Sequence, residues 1–123
     1  MSASRTVTIE TVDHGTVTIP EPTWCIAAHD IKGYREDIEH VSAQTPLLIP
    51  TRSHGLVIAM PVFFVWRPFS SNDNQINAAI VTDVESHEFD PAGLDQVAAA
   101  LVEHARTIRV YARQLSTLRA GTK

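Results

Sequence analysis

Cys25, His29 and His40 are the residues of this chain whose types and spacing suit chemistry. Cys25 is the only cysteine, and His29 follows it at a distance of four positions. In a helical turn that spacing brings both side chains to one side. Thiolate and imidazole are favoured zinc ligands. If His40 folds back, Glu21, Asp30 or Asp37 can supply the fourth position. A shell closed by four protein groups is structural rather than catalytic. The same residues admit a second chemistry, in which Cys25 is a nucleophile, His29, His40 or His54 its base, and Asp37 the orienting group. No sequence around Cys25 marks an oxyanion hole, so a Cys/His hydrolase ranks third among the readings. The five glycines are scattered and form no phosphate-binding loop.

The elements that must position these residues are short strands. Val7 and Ile9 alternate with threonines, as do Val17 and Ile19, and Asp13-His14-Gly15 between them marks a tight hairpin turn. Pro20-Glu21-Pro22 is expected to end that hairpin, since proline removes a ladder donor. Trp24 to Gly33 lacks periodicity and reads as a loop containing a helical turn, with Trp24 anchoring it in the core. Residues 34–41 read as a strand with Tyr34, Glu36, Ile38 and His40 on one face. A short strand follows at Leu47 to Ile49, bounded by Pro46 and Pro50. Leu56 to Trp66 is apolar almost throughout, which predicts a strand buried on both faces with a bulge or sheet edge at Pro61. Alternation from Ile76 to Val84 and the short run His87 to Phe89 complete the sheet.

A long helix closes the chain. Asp90 suits an N-cap and Pro91 the first helical position. Leu94, Ala98, Leu101, Ala105, Ile108, Ala112 and Leu115 then recur at alternating intervals of four and three, a heptad pattern with alanine at one of its two seam positions. Packing across the chain's own sheet and a seam with a second helix are the two uses of such a stripe. Arg106, Arg109 and Arg113 lie in one row on another face. They are candidate contacts for an acidic partner, although Glu103 offers Arg106 an ordinary intrahelical pair.

Charge divides along the chain. All fourteen carboxylates fall within residues 1–103, against five basic residues there, while residues 104–123 carry the other five basic residues and no acid. Basic residues at a helix C-terminus complement its dipole. The acidic remainder opposes nonspecific nucleic-acid binding. No charged region followed by an apolar core opens the sequence, no apolar run is long enough to span a bilayer, and one cysteine cannot form an internal disulfide. The expected location is the cytoplasm.

The run Val17-Thr18-Ile19-Pro20-Glu21-Pro22-Thr23-Trp24-Cys25, then His29, then Tyr34-Arg35-Glu36-Asp37-Ile38-Glu39-His40, resembles an uncharacterised family of small actinobacterial and actinophage proteins. Phe89-Asp90-Pro91-Ala92-Gly93-Leu94, followed by an Ala/Leu/Arg-rich helix, is similar to the same family. Members often carry cysteine where this chain has Glu21. The resemblance therefore implies that Glu21 stands in for a thiol as a weaker carboxylate ligand. It implies no activity.

These observations predict one α+β domain over residues 1–123, with residues 6–89 mainly β and 90–119 helical, and with fraying at 1–5 and 120–123. The architecture expected is a bent, mainly antiparallel sheet of about six strands packed on one long C-terminal helix. The first functional expectation is a non-enzymatic accessory or regulatory protein. It would act through protein contacts or as a homodimer, using the helix or the second sheet face. The alternative is a small module stabilised by zinc at Cys25, His29, His40 and Glu21, with its basic helix face turned to an acidic partner. No catalytic residue and no organic cofactor are assigned.

Overall fold

The computed structural model describes residues 3–121 and has an α+β arrangement of antiparallel sheets followed by one long C-terminal helix. The chain forms two compact units, one ending at Asp90 and one beginning at Pro91. The expected fraying of residues 1–2 and 122–123 lies outside the described residues. β1 begins at Ala3 and the helix extends to Gly121.

In the first unit, β1 (Ala3–Thr11) and β2 (Gly15–Pro22) form a two-stranded antiparallel hairpin. Its turn closes where Thr11 Oγ1 donates to the Gly15 carbonyl and accepts the His14 N–H. Gly15 takes φ +62°, a conformation that costs glycine little. The second hairpin repeats this device. β4 (Thr45–Thr51) and β5 (Gly55–Trp66) are joined by a turn in which Thr51 Oγ1 donates to the Gly55 carbonyl and accepts the His54 N–H. The shared Thr-x-x-His-Gly pattern at 11–15 and 51–55 is the sequence signal for both turns.

β5 is the long strand of the five-stranded sheet. β3 (His40–Val41) and β4 pair with it, β6 (Asn77–Thr82) pairs with residues 62–65, and β7 (Glu85–Phe89) pairs with β6, all antiparallel. The irregularity expected at Pro61 is present. Thr45 pairs with Val62 and Leu47 with Ala59, so the β5 strand holds an extra residue there, and Met60 takes φ +47°. β4 runs through both Pro46 and Pro50, longer than the strand read from sequence. Among the described residues it pairs only with β5, and a strand with one free edge tolerates a missing N–H.

Two expectations are corrected. The expected burial of residues 56–66 on both faces does not hold: Leu56 and Ile58 are exposed, while Val65 is buried. Residues 34–41 are not one strand. A 3₁₀ turn at Arg35–Asp37 precedes β3, because Asp37 and Ile38 donate locally to the Tyr34 and Arg35 carbonyls while Asp13 accepts the Arg35 N–H. The inward alternation of Ile38 and His40 survives this turn, and both are buried. Ile38 joins Ile9 and Ile19 in a small core, with Val7, Val17 and Phe69 packed against it.

The second unit is the helix α1 (Pro91–Gly121), which starts at the expected proline. Its 31 residues give about 46 Å of length, uninterrupted through every position of the heptad pattern. No helix among the described residues is long and apolar enough to cross a membrane.

Candidate metal centre

Three segments converge on one small volume. β2 supplies Glu21 from its last turn of backbone before Pro22. The loop that follows supplies Cys25 and His29, and β3 supplies His40. Between Cys25 and His29 the backbone is irregular rather than the expected helical turn. The two side chains meet because His29 takes φ +55°, a left-handed conformation that histidine adopts more readily than most residues. The loop is tied down at its start by Cys25 N–H donating to the Pro22 carbonyl and Ile26 N–H donating to the Val41 carbonyl.

One ligand atom from each of Glu21, Cys25, His29 and His40 lies within 4.8 Å of the others. His29 Nε2 donates to Glu21 Oε1 at 2.7 Å and lies 3.7 Å from Cys25 Sγ. His40 Nδ1 is 3.9 Å from the same Glu21 oxygen. Tetrahedral zinc with ordinary bond lengths separates its ligand atoms by roughly 3.3–3.6 Å. The three observed distances bracket that range, so shifts of about half an ångström bring the four atoms to tetrahedral edges.

His40 is the strongest witness to a cation. It has 0% exposure, and neither ring nitrogen has a hydrogen-bond partner among the described residues. Leaving a buried polar atom unpaired costs about 1–3 kcal/mol, and native folds rarely accept it without a reason. Its ring is held between His29, edge-on at 5.3 Å, and Trp66 at 5.4 Å, which fixes the direction in which the nitrogens point.

The electrostatics suit a metal better than a nucleophile. Burial pushes the Glu21 carboxyl up, but hydrogen bonds from Cys25 and His29, with the His29 and Arg5 charges, outweigh it and hold the carboxyl below its ordinary value. Burial pushes the Cys25 thiol up, and the Glu21 carboxylate adds to the effect. Burial also holds the His40 imidazole below its usual range, hence neutral and able to ligate. A catalytic cysteine needs the opposite shift and an approach for substrate, whereas Cys25 is 3% exposed.

The other residues singled out from sequence lie elsewhere. Asp30 and Asp37 line a surface groove beside His29 and are not in the ligand cluster. His54 sits in the β4–β5 turn against Ser53. Trp24 is half-buried and packs its ring near Phe64. On α1, Arg106 is paired with Glu103, the pairing its spacing suggested. Arg5 escaped the sequence reading. It pairs with Glu21 Oε2 at 3.3 Å and donates to the Cys25 carbonyl at 2.7 Å. Counting outward from the turn at Asp13 places Arg5 opposite Glu21, and that count was the available signal.

A family model described as a domain of unknown function (DUF6907) matches residues 6–117, a span that includes all four cluster residues. Comparison with curated proteins and with solved structures finds no match.

Proposed function

The chain belongs to the DUF6907 family, and we propose that it is a small non-enzymatic module whose first unit is clasped by zinc at Glu21, Cys25, His29 and His40. The observation that carries this reading is His40, wholly buried, with two unpartnered nitrogens beside a carboxylate, a thiol and a second imidazole. One thiolate and one carboxylate neutralise a divalent cation, and two imidazoles complete its shell. With every position filled by protein, no open site is left for substrate, which is the pattern of structural zinc. The clasp would join the end of the β1–β2 hairpin to β3, two segments otherwise linked by few backbone bonds. Cytoplasmic residence belongs to the same reading, because a lone thiol stays a ligand only in reducing surroundings.

Metal analysis of the full chain purified without chelator tests this proposal. About one zinc per chain is expected. Less than about half an equivalent, together with no uptake on titration, overturns it.

A second reading concerns α1. Its seam of Leu94, Leu101, Ile108 and Leu115 with Ala98, Ala105 and Ala112 repeats over three heptads within one unbroken helix. We propose that this stripe mediates the module's protein contacts, with a second copy as the first candidate. Alanine at one seam position allows close approach of an equivalent helix.

A further inference from the structure

Glu21 divides its two oxygens between different neighbours. Oε1 faces His29 and His40, whereas Oε2 faces Arg5. Arg5 does a second thing with the same guanidinium: while Nε meets Glu21 Oε2, Nη2 donates to the backbone carbonyl of Cys25. One side chain from β1 thus grips two of the four cluster residues. An ordinary cross-strand ion pair explains the first contact alone, since Arg5 and Glu21 are register partners in the hairpin. It does not explain the second, which reaches across to the loop.

From this geometry we infer that Arg5 is the positioning residue of the metal centre. It reserves Glu21 Oε2 for itself, so that the carboxylate offers the ion Oε1 alone. The inference rests on the zinc reading above. A carboxylate free at both oxygens can chelate a cation and raise its coordination number, as calcium sites do. Holding one oxygen in the fork of an arginine favours a four-coordinate, tetrahedral shell, and therefore zinc over harder divalent cations. Arg5 also carries a positive charge towards a cation, which opposes binding. That repulsion is weakened because the Arg5 side chain is half-exposed and because Glu21 and Cys25 together match the ion's charge. Orientation is the larger effect for partners of metal-bound carboxylates, whose loss costs about 10–100-fold in affinity.

The full-length chain and its Arg5→Met and Arg5→Lys variants are titrated with Zn²⁺ against a chromophoric chelator and with Co²⁺ followed by visible absorption. The wild type is expected to show the intense bands of four-coordinate cobalt. Arg5→Met is expected to bind zinc about 10–100-fold more weakly and to give the fainter bands of a higher coordination number. Arg5→Lys keeps the charge but loses the fork, and is expected to show the same spectral change. A zinc affinity within about threefold of wild type with an unchanged cobalt spectrum in Arg5→Met overturns the inference and leaves the zinc clasp standing. Where Arg5→Met does not fold, the cobalt spectrum of Arg5→Lys decides in the same way. A folded wild type that takes up neither ion overturns the zinc clasp and this inference together.

Discussion

His40 and Trp66 are directly opposed across the β3–β5 ladder, with their rings 5.4 Å apart and tilted by 35°. That pairing takes the imidazole fully out of solvent and leaves its nitrogens only the cluster to face. In the metal-free protein His40 is therefore a cost to folding, and with metal bound it becomes a gain. His40→Leu, similar in volume, is expected to retain stability within about 1 kcal/mol of wild type in the presence of chelator. The same variant should lose all stabilisation by added zinc. Denaturant unfolding with and without chelator measures both effects, and a large loss of apo stability would mean that His40 serves packing alone.

Zinc should raise the melting temperature of the wild type. At free zinc about a thousandfold above Kd the linkage is worth about 4 kcal/mol, or roughly 10 °C for a chain of this size. Cys25→Ser and His29→Ala should each abolish most of that rise. Calorimetry of metal-loaded and chelator-treated protein reads the difference, and an unchanged Tm would remove the clasp from the stability of the fold.

Asp13 links the first hairpin turn to the segment that leads to His40, accepting the Arg35 N–H at 2.9 Å. That backbone hydrogen bond is the main reason its carboxyl lies below the ordinary value. A carboxyl with a depressed folded-state pKa stabilises the fold above its unfolded value, about 3.9, and loses that contribution as pH falls through the folded value. Acid unfolding monitored by circular dichroism should therefore begin at higher pH in Asp13→Ala, and its pH dependence between about 4 and 2 should flatten. Equal acid profiles for the two proteins would show that the contact adds nothing.

Ile108 lies at the centre of the α1 heptad stripe. If that seam pairs two copies, Ile108→Asp places a charge in the apolar contact and should shift sedimentation from dimer to monomer at micromolar concentration. Far-ultraviolet helicity should fall with it, because a helix without a partner frays. A wild type that sediments as a monomer at all concentrations would instead assign the stripe to another use.

Much of this arrangement can be read without a structure, because it depends on near neighbours in sequence. Alternation in β1 and β2, the glycine turns, the proline-marked bulge in β5 and the proline-started helix are local consequences of side-chain shape and backbone freedom. The 34–41 segment escapes such a reading because its 3₁₀ turn depends on the Asp13 carboxylate, more than twenty residues away. Exposure of Leu56 and Ile58 escapes it for a related reason: apolarity states what a strand prefers to bury, not whether another element arrives to cover it.

The site divides in the same way. Residue types alone determined that Cys25, His29, His40 and a carboxylate were the groups able to hold a soft divalent cation, since few side chains ligate zinc. Only the tertiary structure decided that the carboxylate near them is Glu21 rather than Asp30 or Asp37, that His40 is stripped of every partner, and that Arg5 holds the outer oxygen. Those outcomes depend on hairpin register and on how a loop without periodicity folds back over a sheet. No spacing along the chain encodes that return, because it is set by contacts between segments rather than within them.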